Sequence, residues 1–255
     1  KDKQLVVIPT TCGSGSEVSS VSITEIKAKN TKMGLQVDAL FPDDAVLIPQ
    51  LLEELPFKGF VPTAIDALIH AIESFVSPKS NRYTELFSVP AIEIILKGFM
   101  AILEKGEDYR KEIIGDFLTA SNYAGIAFAN TGTGAVHATS YPLSGEYHVT
   151  HGEANYQMFV EVFKTYNRIQ PEGKLSRVNK IMADIMGCPV DQVYEELTKV
   201  LDKLIIRQPL HKYGMKEEEI EIFTDSVIAS QQRLLGNSYV PLSRDDIIQI
   251  YRNLY

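Results

Sequence analysis

The hydrophobic pattern of this chain changes period once, near residue 50, and that change restricts the folds open to it more than any other feature. Before it, apolar residues come in short runs or alternate. Leu5-Val6-Val7-Ile8 is a continuous apolar run of the kind buried in parallel sheets, and Pro9 closes it. Val21-Ser22-Ile23-Thr24 alternates, and Gly34-Leu35-Gln36-Val37 and Ala45-Val46-Leu47-Ile48 read as two further strands. Four short strands without crossover helices between them make half a domain at best. Beyond residue 50 the period is 3.6. It predicts helices near 50–54, 62–77, 83–104, 107–128, 133–144, 152–167, 173–187, 190–206, 216–234 and 243–254. Pro62 suits a first helical turn, Lys105-Gly106 follows a helix end, and Ser243 with Asp245 opens the last helix. Gly187-Cys188-Pro189-Val190-Asp191 is a break. The expected fold is mostly α: an all-helical part over residues 56–255, preceded by a β-rich remnant over residues 1–55.

Composition narrows the partners. The 255 residues carry 25 Lys and Arg against 33 Asp and Glu, a formal charge of −8, and no block of basic residues interrupts that balance. A nucleic-acid or anionic-membrane surface is therefore not expected, and a small-molecule substrate is. No apolar run approaches the ~18 residues that span a bilayer, and no secretory signal opens the chain. The two cysteines, Cys12 and Cys188, form no CxxC pair, so a reduced, cytoplasmic setting is expected. The opening Lys1-Asp2-Lys3-Gln4, with no initiator methionine, leads straight into a strand, and a segment upstream of Lys1 is expected.

The five histidines are His70, His137, His148, His151 and His211. His70 follows Asp66 by four residues, so on a helix both side chains occupy one face and can reach a single ion. His137 precedes His151 by fourteen residues, and His151 stands at a helix start. One carboxylate and three imidazoles suit iron(II), zinc, nickel or cobalt. By spacing alone an Asp–His pair on a helix is more often solvated or hydrogen-bonded than metal-binding, and the spacing does not by itself bring the four groups together. The Gly13-Ser14-Gly15-Ser16 loop after a buried strand offers backbone N–H groups to a phosphate or a nicotinamide, or is simply a turn.

Three stretches together resemble the group III, iron-containing alcohol dehydrogenase family. They are Pro9-Thr10-Thr11-Cys12-Gly13-Ser14-Gly15-Ser16-Glu17-Val18, Asp66-Ala67-Leu68-Ile69-His70-Ala71-Ile72-Glu73, and His137 through Pro142-Leu143 to His151-Gly152. Further stretches, among them Ser140-Tyr141-Pro142, Tyr147-His148-Val149, His151-Gly152-Glu153-Ala154-Asn155-Tyr156 and Gln231-Gln232-Arg233-Leu234-Leu235, are similar to the 4-hydroxybutyrate dehydrogenase branch of anaerobic bacteria.

The resemblance implies a dehydroquinate synthase-like fold, with residues 1–55 the C-terminal part of an α/β dinucleotide-binding domain and 56–255 the helical metal-binding catalytic domain. It implies that Asp66, His70, His137 and His151 bind a divalent metal, iron(II) first and zinc as the alternative. It implies NAD as cofactor, contacted by Thr10, Thr11, Gly13, Ser14 and Ser16, while the family's GGGS-type pyrophosphate turn does not occur in this chain. A homodimer is expected. The implied reaction is metal-assisted hydride transfer, interconverting 4-hydroxybutyrate and succinate semialdehyde. Another short-chain alcohol or diol, a hydrolase or lyase activating water with the same ligands, or a metal-stabilised scaffold are the other readings. Many members place a further histidine, suspected of relaying protons, four residues after the third ligand. Here Tyr141 stands there, and His148 is a candidate replacement, also for binding a substrate carboxylate.

Overall fold

The computed structural model describes residues 3–26 and 31–255; Lys1 and Asp2, which open the chain, lie outside them. The first part is extended, and its described strands form two separate two-stranded sheets. Strand β1 (Val6–Val7) pairs in parallel with β4 (Asp44–Ala45), Val6 standing opposite Asp44. Between them, β2 (Val21–Ile26) and β3 (Thr31–Gln36) form an antiparallel hairpin with Val21 opposite Gln36. The apolar run at Leu5–Ile8 is not buried as its sequence predicts: Val6 is 47% and Ile8 45% exposed. A parallel strand is covered on both faces only within a wider sheet flanked by helices, and β1 has one partner strand among the described residues.

From residue 57 the chain is helical. Helix α1 (Phe57–Val76) is the centre of this part and packs against α2 (Arg82–Lys105), α3 (Ile114–Thr131) and α5 (His151–Ile169). Phe60, Ile65, Leu68, Ile69, Ile72 and Phe75 of α1 are all fully buried, each side chain contributing roughly 1.5–3 kcal/mol. Edge-on packing of Phe60 on Phe117 at 4.9 Å, and the tilted contact of Phe117 with Phe99 at 5.4 Å, tie α1, α3 and α2 together. By length and composition α1 and α2 are apolar enough to cross a bilayer, although neither is an unbroken apolar run. In α1, 89% of that stretch is buried within the fold, as in a core helix that is apolar all round.

The remaining helices are α4 (Ala135–Tyr147), α6 (Lys174–Met186), α7 (Val193–Leu204), α8 (Glu219–Ser230), α9 (Gln232–Leu235) and α10 (Arg244–Leu254). Their ends follow local chemistry. Asn81 caps α2 by accepting from the N–H groups of Tyr83 and Thr84, and the Thr84 hydroxyl accepts from the Asn81 N–H in return. Ser243 and Asp246 form the same reciprocal cap on α10. The helix expected at 50–54 is instead a 3-10 turn, Pro49–Leu52. The expected helix at 107–128 is a 3-10 turn, Glu107–Lys111, followed by α3, and the one at 216–234 breaks at Gln231 into α8 and α9. Pro62 lies inside α1 rather than in its first turn. It offers no N–H to the turn before it, and the Thr63 hydroxyl donates back to the carbonyls of Gly59 and Phe60 at 3.2 and 2.9 Å.

Candidate metal centre

Helix α1 presents Asp66, His70 and Glu73 along one face, at the four- and three-residue steps that align side chains on a helix. All three are buried: 4%, 5% and 2% exposed. Helix α4 brings His137 to this face, and α5 brings His151 at its first residue. One ligand atom from each of Asp66, His70, His137 and His151 lies within 4.8 Å of every other. The Nε2 atoms of His70 and His137 are 3.0 Å apart. Asp66 Oδ1 is 3.8 Å from His137 Nε2 and 4.0 Å from His70 Nε2, and Asp66 Oδ2 is 3.7 Å from His151 Nε2. Four positions scattered over 86 residues of sequence thus meet at one point.

The groups behind them fix how they meet. His70 Nδ1 donates to the carbonyl of Gly13 at 3.1 Å, and His137 Nδ1 donates to Glu73 Oε2 at 2.6 Å. Each ring therefore turns its Nε2 lone pair to the centre. The same Glu73 carboxylate accepts from the N–H groups of Gly134 and Val136 at 2.9 and 2.8 Å, pairing donors at the start of α4. Asn155, on α5, donates to Asp66 Oδ1 at 2.7 Å and lies 3.2 Å from His151 Nε2, and its own carbonyl accepts from Ser140 Oγ at 2.5 Å. Burial works against an ionised Asp66, but the three imidazoles and the Asn155 amide together outweigh it and hold the carboxyl below the usual range. Burial drives His70 down to about 4, so it is neutral at pH 7. At His137 burial acts downward too, but the Glu73 carboxylate overcomes it and raises the ring above its ordinary value.

Two glycines permit the convergence. A Cβ on Gly152 would stand 2.4 Å from the Pro62 carbonyl oxygen, so only glycine lets α5 press onto α1 one turn before Asp66. A Cβ on Gly13 would stand 2.5 Å from the Thr63 carbonyl oxygen. That contact brings the Gly13 carbonyl to His70.

The cluster forms one wall of a cavity of about 580 Å³. Ser14, Ser16 and Ser19, the hairpin residues Val21 and Gln36, Phe128, Tyr141 and Arg233 line other parts of it. Phe128 stacks on His70 with ring centroids 4.5 Å apart. Burial pushes the Tyr141 hydroxyl up to about 12. Of the residues expected from sequence to touch the cofactor, Ser14 and Ser16 face the cavity, Gly13 is turned to Thr63 and His70, and Thr10 and Thr11 are not on its wall. His148 is a correction. It caps α4 in the left-handed conformation, φ 54, and is exposed outside the cavity lining, because the chain reverses there between two helices. Its nearness to His151 in sequence does not put it at the centre. Sequence reasoning gave no role to Glu73, and it named Asn155 and Arg233 without theirs.

The donor set fits a divalent ion. With both Nδ1 atoms donating elsewhere, the neutral rings of His70 and His137 turn Nε2 lone pairs to each other across 3.0 Å beside a buried carboxylate, so either a proton or a cation must stand there. A cation relieves that arrangement, since metal–nitrogen bonds of ~2.1 Å set neighbouring ligand atoms roughly 3.0–3.4 Å apart. Fold and site together define a class: a helical domain built around a carboxylate–trihistidine cluster that could hold a metal ion and opens on a cavity.

Comparisons with known proteins agree with that class and narrow it. Residues 60–255 match the C-terminal model of the Fe-containing alcohol dehydrogenase family, and residues 1–49 match the iron-containing alcohol dehydrogenase model. The chain belongs to the iron-containing alcohol dehydrogenase family. It is 56% identical to 4-hydroxybutyrate dehydrogenase of Clostridium kluyveri over all 255 of its residues, which span 69% of that protein. It is 33% identical to long-chain-alcohol dehydrogenase 1 of Geobacillus thermodenitrificans, with 96% of the chain and 62% of that protein covered. Among solved structures, the iron-containing alcohol dehydrogenase of Thermotoga maritima superposes with a TM-score of 0.82 at 27% identity, covering 98% of this chain and 63% of that one. The chain thus spans about two thirds of the length of these relatives.

Proposed function

We propose that the chain is the metal-binding part of an NAD-dependent oxidoreductase that interconverts 4-hydroxybutyrate and succinate semialdehyde. Asp66, His70, His137 and His151 hold the divalent ion, iron(II) first and zinc as the alternative. Residues 1–55 are the end of the dinucleotide-binding domain, and residues 56–255 are the catalytic domain. The observation that carries this reading is the meeting of those four groups on a cavity wall, in a chain 56% identical to a 4-hydroxybutyrate dehydrogenase.

When bound, the ion supplies a Lewis acid for the alcohol oxygen and the nicotinamide supplies the hydride acceptor. The chain does the rest. Glu73 and the Gly13 carbonyl hold His137 and His70 in the tautomer whose Nε2 faces the cavity. Asn155 keeps Asp66 aimed at the same point. Phe128, stacked on His70, gives the wall an apolar surface that limits water around the reacting carbon. Tyr141, pushed up to about 12, stays protonated near neutral pH and serves as a donor to the substrate oxygen rather than as a base. Ser14 and Ser16, their hydroxyls 3.0 Å apart, offer polar contacts for the carboxamide end of the nicotinamide.

The test is an assay of the full-length, metal-loaded enzyme against 4-hydroxybutyrate, butan-1-ol and propane-1,3-diol with NAD, and against succinate semialdehyde with NADH. The highest kcat/KM is expected for 4-hydroxybutyrate. A preference for either neutral alcohol, or no NADH oxidation with succinate semialdehyde, would contradict the substrate.

A further inference from the structure

Among the described residues lining the cavity, Asp66 is the one carboxylate, and Lys79 and Arg233 are the two permanent cations. With Asp66 turned to the histidines, the remaining wall offers an anion two positive charges and no negative one. The two cations are not equivalent. Arg233 lies on α9, which is anchored on both sides: Leu234 is buried at 1% exposure, and the Asn237 amide donates to the carbonyl of Thr133 at 3.3 Å, beside the start of α4. The backbone that carries Arg233 is thereby fixed relative to His137. Arg233 lines the same cavity as His137 and Tyr141. Lys79 lies in the turn between α1 and α2. The Arg233 guanidinium makes no ion pair or hydrogen bond with the described residues, so its planar fork of donors is available to a ligand.

We propose that Arg233 selects the substrate: its guanidinium takes the far carboxylate of an ω-hydroxy or ω-oxo acid whose reacting end lies at the Asp66–His70–His137–His151 cluster. This deepens, and rests on, the reading of the substrate as 4-hydroxybutyrate. A carboxylate entering a half-enclosed cavity gives up water, and a charged, two-pronged hydrogen bond replaces it. A neutral alcohol of the same length has nothing to give that fork. The residue thus sets a difference between substrates rather than a general gain in binding.

The experiment uses the full-length, metal-loaded enzyme with Arg233→Ala, Arg233→Gln and Lys79→Ala. The ratio of kcat/KM for 4-hydroxybutyrate to that for butan-1-ol should fall about ten- to a hundredfold in both Arg233 variants, mostly through KM, and should hold in Lys79→Ala. Because Arg233 is exposed, neither change disturbs the core. A second measurement needs no turnover: calorimetric titration of 4-hydroxybutyrate into the enzyme–NADH complex, where the same fold loss of affinity is expected. An unchanged ratio in the Arg233 variants, or a selective loss in Lys79→Ala instead, would overturn the assignment while leaving the proposed reaction standing. Binding of 4-hydroxybutyrate that depends on Arg233, without oxidation by the wild type, would support the assignment and overturn the reaction.

Discussion

Glu73 uses two oxygens to satisfy three donors, the N–H groups of Gly134 and Val136 and the ring Nδ1–H of His137. An amide of the same shape offers one acceptor oxygen and turns an NH2 toward the remaining donors. Glu73→Gln should therefore leave α4 formed but free the His137 ring, lowering metal affinity about ten- to a hundredfold. Competition against a chromophoric chelator reads this directly, and wild-type affinity in the variant would remove Glu73 from the centre. At this scale the sequence was legible where spacing speaks. Asp66 and His70 stand four apart, while His137 and His151 needed the family resemblance to join them. Glu73 sat unnoticed in the same helical stretch, because the donors it serves lie more than sixty residues away. Arg233 lines the same cavity from more than eighty residues beyond His151, a distance that spacing does not bridge. His148 was misplaced because a left-handed residue at a helix end sends the chain away from its sequence neighbours.

Helix crossings carry the site from residue to fold. α5 meets α1 at Gly152 against Pro62, and that contact sets where His151 and Asn155 stand relative to Asp66. Gly152→Ala would place a methyl group 2.4 Å from a backbone oxygen that no rotamer can move. The helices must separate, at about 1–3 kcal/mol of stability, and His151 and Asn155 move with α5. Urea unfolding and a metal titration on the same variant should both report the loss. Full stability together with unchanged metal affinity would show that the crossing has slack. The helices themselves were readable from period and caps to within a few residues for most elements, since capping chemistry such as Asn81–Thr84 is local. Their crossings were not readable, because Gly152 looks like any glycine near a helix start until Pro62 is seen against it. Pro62 misled for a related reason: its fixed φ suits a first turn, but it stands inside α1, where burial of the helix on all sides outweighs the N–H that the Lys58 carbonyl loses.

Across the whole molecule, the change of period near residue 50 separates the two stretches matched by two family models, residues 1–49 and 60–255. The two stretches interlock. Cys12 is fully buried in the helical core, Glu17 accepts from Asn122 of α3 at 3.0 Å, and the Gly13 carbonyl holds His70. A metal ion at the centre would join α1, α4 and α5, and through His70 the loop as well, so its binding would add to the stability that the packed apolar core already supplies. The most direct test is therefore the metal content of the protein and of two variants. Elemental analysis should find one divalent ion per chain in the wild type and none at stoichiometric level in His137→Ala or His151→Ala, with circular dichroism showing the helices retained. Full occupancy in both variants would contradict the account at its centre.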